Sequence, residues 1–365
     1  MQQVDQDCRW PGNRAGEWPK VAIIILNWNG WRDTIECLES LLRIEYPNYQ
    51  VMILDNGSID GSLQKIKSWV LGEISAKSAF FNTDPNINPV SWIECELDTI
   101  QADGSLDGKN WFIDSSCYPR LILFQSKKNL GFAAGNNAII SIALRDPAVQ
   151  YIWLLNNDTL IPAESLTALV TDLMKDPGLG MISPKICYYS NPEHIWFAGG
   201  RLHLIRATGS NLGLGTKDDD SYRGLLPCTF ITGCAMLIKR YVFEDIGLLD
   251  PLYFLYEEDV DLSLRAINAG WKLAADLDTV AYHKVSSAVG CDPLPLQTYY
   301  ITRNRPYFSA KHHNDLQKIL FNLFWFSSRT AKLCSWIING RMDLARAAIK
   351  GYADYRMGHM GRSCN

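Results

Sequence analysis

Four short apolar runs, three of them closed by Asn or Asp, constrain this chain more than any other feature. They are Val21-Ala22-Ile23-Ile24-Ile25-Leu26 before Asn27, Val51-Met52-Ile53-Leu54 before Asp55, Leu121-Ile122-Leu123-Phe124, and Tyr151-Ile152-Trp153-Leu154-Leu155 before Asn156. Continuous runs of this length, rich in branched side chains, suit strands buried on both faces. Residues 34–43, with apolar groups at Ile35, Leu38, Leu41 and Leu42, have helical spacing, as do residues 62–71 and 137–144. Strand–helix alternation with polar strand ends predicts an open, mostly parallel α/β sheet. Its ligand should lie in the crevice where strand order reverses.

Composition narrows the classes. A formal net charge of −4 over 365 residues argues against a general nucleic-acid binder, which needs a basic surface. The ten cysteines include no C-x-x-C pair, so no zinc framework is expected; with no secretory signal opening the chain, they read as reduced, mostly buried thiols of a cytoplasmic protein. No apolar run approaches the roughly 18 to 20 residues of a bilayer span. Residues 1–19 read as a loose tail, 20–290 as the α/β domain and 291–365 as a helical region.

Two segments depart from the strand–helix rhythm. Residues 72–119 have little periodicity and carry eight acidic against two basic side chains, reading as an insertion on the sheet's rim, either a solvated loop or a lid. Beyond Pro306, Leu316, Ile319, Leu320, Leu323 and Phe324 form a helical stripe, widened by Phe321, Trp325 and Phe326. From Pro306 onward there are nine basic and three acidic residues. Such a helix either lies in a bilayer interface, giving peripheral contact at the inner face of the cell membrane, or packs on the α/β domain or a second subunit of a homodimer.

The strand ends carry the chemistry. Asn27-Trp28-Asn29-Gly30 and Asp55-Asn56-Gly57-Ser58 follow consecutive strands. Asp55 can accept a base N–H, and the Asn27 and Asn29 amides both donate and accept, a set suited to uracil or thymine and its ribose. Each motif alone reads better as turn chemistry; their recurrence at neighbouring strand ends reverses that and favours binding. In Asn129 to Asn137, small residues admit a ligand close to the backbone and a helix start offers N–H groups to an anion. Neither the P-loop nor the G-x-G-x-x-G spacing is present. In Asn156-Asn157-Asp158, a carboxylate flanked by amides suits Mg²⁺ or Mn²⁺ bridging a diphosphate, with His283 the candidate second ligand. In Tyr256-Glu257-Glu258-Asp259-Val260-Asp261-Leu262, one carboxylate is expected to take a proton from an acceptor hydroxyl; the alternative is acids opposing a helix dipole. Asp261 and Arg265, four apart, are expected to pair on a helix surface.

Taken in order, these motifs, with Thr232-Gly233-Cys234-Ala235 and His283, closely resemble the family-2 glycosyltransferases with the GT-A fold. The likeness runs from Val21 to about Ser287 and more loosely through Tyr300-Ile301-Thr302-Arg303-Asn304. The resemblance implies an open mixed sheet with flanking helices and a C-terminal helical extension. It implies donor-base contacts at Asn27, Asn29 and Asp55, and donor or ribose contacts at Asn129, Gly131 and Asn136. Asp158 matches the last acid of the metal-binding D-x-D motif, His283 the metal-side histidine and Asp259 the catalytic base. Asn156 replaces the first acid, as in the rhamnosyltransferase-like branch, which uses dTDP-L-rhamnose; residues 195–200 (Ile195-Trp196-Phe197-Ala198-Gly199-Gly200) also look like that branch.

The expectation is therefore an inverting transferase. A divalent cation is held by Asp158 and His283, and Asn156 and Asn157 contribute to donor binding. The sugar passes from a dTDP- or UDP-linked donor to a saccharide or polyprenyl-linked acceptor. Two rivals remain at this level. A non-catalytic sugar-nucleotide-binding protein would need no general base. A nucleotidyltransferase should carry a Gly-rich, basic loop after the first strand, where Asn27-Trp28-Asn29-Gly30 stands.

Overall fold

The computed structural model describes residues 18–82, 91–97, 120–285 and 294–363. The first half contains β1 (Lys20–Asn27), α1 (Trp31–Leu41), β2 (Tyr49–Asp55), α2 (Ser62–Val70), β3 (Trp92–Glu96), β4 (Leu121–Gln125), α3 (Gly131–Ala143), β5 (Val149–Asn156) and β6 (Thr159–Leu160). There follow α4 (Ser165–Lys175), β7 (Leu179–Tyr188), β8 (Asn191–Phe197), β9 (Gly200–His203), β10 (Thr208–Asn211), β11 (Leu225–Cys228) and β12 (Ala235–Lys239). The last elements are α5 (Arg240–Ile246), α6 (Glu258–Asn268), β13 (Lys272–His283), α7 (Pro295–His312), α8 (Asp315–Ile338) and α9 (Met342–Met357).

The main sheet runs β11-β13-β7-β12-β5-β1-β2-β4-β3, with β6 added to β13 and β8 to β7; β9 and β10 form a separate pair. β5, β1, β2, β4 and β3 are parallel neighbours, and β12 runs antiparallel between β5 and β7. β1 thus has β2 on one side and the later β5 on the other. That reversal opens the crevice in which α/β sheets bind ligands. In register, Asn27 stands opposite Asp55 and Leu26 opposite Asn156, so the polar ends of three strands meet at one edge.

Packing explains why the apolar runs become central strands. Residues 21–25 of β1 have no exposed surface. Each fully buried isoleucine stabilises the fold by about 1.5–3 kcal/mol. α3 packs on β1, β2 and β5, and α4 on β7 and β13. α7 packs on α8 and α9, stacking Tyr300 on Phe254 with ring centroids 5.2 Å apart.

Several expectations change here. Within the segment read as an insertion, residues 92–96 form the edge strand β3, parallel to β4; residues 83–90 and 98–119 lie outside the described residues. Of the expected tail 1–19, residues 1–17 also lie outside them, while the Trp18 ring meets Tyr46 edge-on at 5.3 Å and Lys20 is buried in β1 with its Nζ 2.7 Å from Asp146. The α8 stripe divides. Phe321 and Trp325 turn into the core, while Leu316, Ile319, Leu320, Leu323 and Phe326 stay exposed. Among the described residues no helix is long and apolar enough to cross a membrane, and five of the six described cysteines are buried.

Candidate active site

The β1 and β2 ends form a tight network. Asn27 donates to Asp55 Oδ1 at 2.8 Å and to Ser58 Oγ at 3.1 Å, while its own Oδ1 accepts from Thr34 Oγ1 at 2.9 Å and Gly30 N–H at 3.3 Å. All four hydrogen-bonding capacities of the amide are thereby used. Asn27 is fully buried, and its amide N–H groups are directed at Asp55 and Ser58. Asn29 accepts the Ile59 N–H at 2.8 Å and ties the two loops together. Neither Asn29 nor Asp55 reaches the walls of the two cavities described next; the Asp55 Oδ2 makes no hydrogen bond among the described residues.

A cavity of about 430 Å³ opens beside this network, lined by Asn129, Gly131, Asn136, Asn156, Asn157 and Asp158. Asn56, which the sequence left unassigned, builds its wall. It donates to Gly131 O at 3.1 Å and Asn129 Oδ1 at 3.3 Å, and accepts from Leu130 N–H at 2.9 Å. Gly131 has φ +84°, and a Cβ there would sit 2.5 Å from the Phe254 ring, so only glycine fits. Asn136 donates to Phe132 O at 3.0 Å and Asn157 to Thr34 Oγ1 at 2.9 Å, which holds the α1 and α3 starts in place. Trp28, 53% exposed, stands in the same wall.

A second cavity of about 530 Å³ shares Phe132, Asn156, Asp158 and Leu255 with the first. Here β6 pairs with β13 and sets His283 opposite Thr159, which brings His283 Nε2 to 3.1 Å from Asp158 Oδ1. That contact has ion-pair distance but not hydrogen-bond geometry; Asp158 Oδ1 and His283 Nδ1 are buried without a hydrogen bond among the described residues. The Trp196 ring meets His283 edge-on at 4.7 Å. Burial opposes charge on the imidazole, but Cys234 and Asp158 beside it push its pKa well above the ordinary value. No group of three or more His, Cys, Asp or Glu side chains among the described residues gathers to hold an ion alone.

The acidic run enters this cavity from an unusual backbone. Phe254, Tyr256 and Glu257 all have positive φ, at 64°, 68° and 72°. Each such non-glycine residue costs on the order of 1–3 kcal/mol and persists only where neighbours dictate it. Two buried residues of α7 do so. Asn304 donates to the carbonyls of Tyr253, Leu255 and Tyr256 at 3.0, 2.9 and 2.8 Å, and Arg303 donates to Tyr253 O at 2.7 Å. Glu257 is paired with Arg305 at 3.0 Å. Asp259 lies at the cavity wall, where desolvation raises its pKa to about 6 against the lowering effect of the Gly233 N–H. Burial and the adjacent Asp259 raise Glu258 well above the carboxylate range, and its Oε2 has no hydrogen bond among the described residues. Asp261 is fully buried and turned away, held by Arg265 at 2.7 Å, His312 at 2.6 Å and Lys311 at 2.8 Å. The expected pair with Arg265 exists, but it is internal rather than on a helix surface.

A mixed sheet with the site at the reversal between β1 and β5, flanked by helices, is the GT-A type of glycosyltransferase fold. Two solved structures share it: a mannosyltransferase from Pyrobaculum calidifontis (in complex with GDP-Man and Mn²⁺), at TM-score 0.50 and 16% identity over 97% of this chain and 87% of that one, and GalNAc-T7 (with UDP, GalNAc and Mn²⁺), at 0.51 and 14% over 85% and 55%. The family model described as glycosyl transferase family group 2 matches residues 151–339, and that of glycosyl transferase family 2 matches residues 22–77. The chain belongs to glycosyltransferase family 2. It is 25% identical over 195 residues to an N-acetylglucosaminyl-diphospho-decaprenol L-rhamnosyltransferase of Mycobacterium tuberculosis, a match covering 48% of this chain and 62% of the relative.

Proposed function

We propose that the chain is an inverting, cation-dependent glycosyltransferase that moves a sugar from a pyrimidine nucleoside-diphosphate donor to a saccharide or lipid-linked hydroxyl. The observation that carries this reading is the meeting of two cavities at Asp158, with a carboxylate of raised pKa, Asp259, on the wall of the second. The Asn-lined cavity takes the ribose and diphosphate, and the base lies beside it at the β1 and β2 ends, where Asp55, oriented by Asn27, accepts its N–H. The acceptor enters the other cavity. L-rhamnose from dTDP-rhamnose is the favoured donor, supported by Asn156 and by the mycobacterial relative; a UDP-sugar is the alternative.

The residues present fit a divalent cation. Asp158 offers a buried oxygen without a hydrogen bond and His283 an adjacent imidazole that would bind the ion by giving up its proton, and donor phosphates and water can complete the shell of such an ion. When bound, the ion supplies Lewis-acid neutralisation of the departing diphosphate. The two Mn²⁺-containing relatives of the fold support this. Asp259 takes the proton of the acceptor hydroxyl as its oxygen attacks the anomeric carbon and the bond to the diphosphate breaks. The attack comes from the face opposite the leaving group, so configuration inverts and no covalent sugar–enzyme intermediate forms. Gly233 N–H holds the Asp259 carboxylate in place.

The exposed α8 face (Leu316, Ile319, Leu320, Leu323) is assigned to an anionic bilayer surface bearing the acceptor, because the region beyond Pro306 carries nine basic and three acidic residues. The function is tested by incubating the full chain and Mn²⁺ with dTDP-rhamnose, UDP-hexoses and GDP-mannose and measuring nucleotide release. Consumption of a pyrimidine donor is expected; consumption of none, or of GDP-mannose alone, contradicts the reading.

A further inference from the structure

The Asn-lined cavity has a chemical imbalance. Its wall contains Asn56, Asn129, Asn136, Asn156 and Asn157 and the carboxylate of Asp158, yet a nucleoside diphosphate arrives with two or more negative charges of its own. One cationic side chain lines this cavity among the described residues, and it comes from far along the chain: Arg362.

We propose that Arg362 is a donor-binding residue whose guanidinium meets the diphosphate of the nucleoside-diphosphate ligand. The inference rests on the donor reading above and names a contact that no sequence motif indicated. Its basis is the way the fold delivers this residue. After α9 the chain turns at Gly358 and Gly361, with φ +74° and +77°, and returns across the cavity mouth. It is pinned on both sides of Arg362. Gly361 donates its N–H to Leu252 O at 2.9 Å and its carbonyl accepts from Arg303, while Ser363 donates its N–H to the Tyr300 hydroxyl at 3.2 Å. Arg303 is itself fully buried and also holds the Tyr253 carbonyl, so one side chain fixes both the returning segment and the acidic loop.

The Arg362 side chain, by contrast, is left uncommitted. It is exposed, and Nη1 makes a single long contact of 3.4 Å to Asn129 O, at the loop whose amides face the cavity. Its other N–H donors have no partner among the described residues. A pinned backbone carrying an exposed guanidinium at the cavity wall suits bidentate phosphate recognition, which a lysine point charge reproduces only in part.

The test uses the full chain with Mn²⁺ and compares wild type, Arg362→Ala and Arg362→Lys. UDP and dTDP binding is measured by calorimetry, and uridine and thymidine binding by ligand-observed NMR. Losing one charge-assisted contact to phosphate should weaken nucleoside-diphosphate binding about ten- to a hundredfold. Nucleoside binding should be unchanged, Lys should restore part of the loss, and thermal unfolding should match wild type because the side chain is exposed. Unchanged diphosphate binding in Arg362→Ala overturns the inference and leaves the donor reading intact. An equal loss for nucleosides and diphosphates also overturns it, since that reports a merely structural role. If wild type binds no nucleoside diphosphate, the donor reading fails and takes this inference with it.

Discussion

Asp259 accepts the backbone N–H of Gly233 at 3.0 Å, which joins the strained acidic loop to the turn leading into β12. The bond fixes the carboxylate without neutralising it, and desolvation still raises its pKa to about 6. A base must be ionised to act, so kcat/KM should rise with pH through about 6 and level off above it. Asp259→Asn should lower kcat by about 10² to 10⁴-fold with donor affinity nearly unchanged. Glu258→Gln should be far milder, because Glu258 is already held toward its neutral form. Comparable losses in both variants, or weak donor binding by the Asn variant, would transfer the base role to Glu258.

Stability should depend on Asp261 rather than on Asp259. Burial alone would raise the Asp261 pKa, but His312, Arg265 and Lys311 hold it well below the carboxylate range. A depressed folded-state pKa stabilises above the ordinary carboxylate pKa, and that contribution is lost as pH falls through the acid range. Asp261→Asn leaves three basic groups facing a neutral amide and should cost about 3–5 kcal/mol at neutral pH, the usual cost of breaking a buried pair. Urea unfolding measures it; a change under about 1 kcal/mol would mean that Lys311 and Arg265 find other partners.

The α8 face gives a separate prediction. Leu316→Glu with Leu323→Glu places charge on two exposed positions, 65% and 66% accessible, and should not disturb folding. Co-sedimentation with anionic liposomes at low salt should be strong for wild type and largely lost in the double variant. A wild-type chain that stays in the supernatant would mean that this face does not dock on lipid.

Much of the frame was legible because the runs at β1, β2, β4 and β5 are buried on both faces, which leaves a continuous apolar signature. β3 was not: Glu94 and Glu96 alternate with Ile93 and Cys95 in a five-residue edge strand, too short to stand out from its acidic surroundings. At the site, Asp158 and His283 were legible as residue types, and strand pairing through β6 supplies the proximity that sequence distance hides. The burial of Asn27 against Asp55 was not legible, since an asparagine at a strand end looks the same whether it faces a ligand or a neighbouring carboxylate. The glycines at 199 and 200 were read as a branch signature; Gly200 also has a packing reason, because a Cβ there would lie 2.4 Å from Phe230. Asn304 and Arg303 escaped assignment because their partners are backbone carbonyls, which no side-chain pattern reveals.

The most direct test is calorimetric titration of the full chain with UDP and dTDP, with Mn²⁺ and again with excess EDTA, for wild type and Asp158→Ala. The account predicts pyrimidine nucleoside-diphosphate binding that is tighter than GDP binding, weakened by EDTA, and weakened similarly by Asp158→Ala, which should also abolish turnover. Binding that is indifferent to both the cation and Asp158, or a clear preference for GDP, would contradict it.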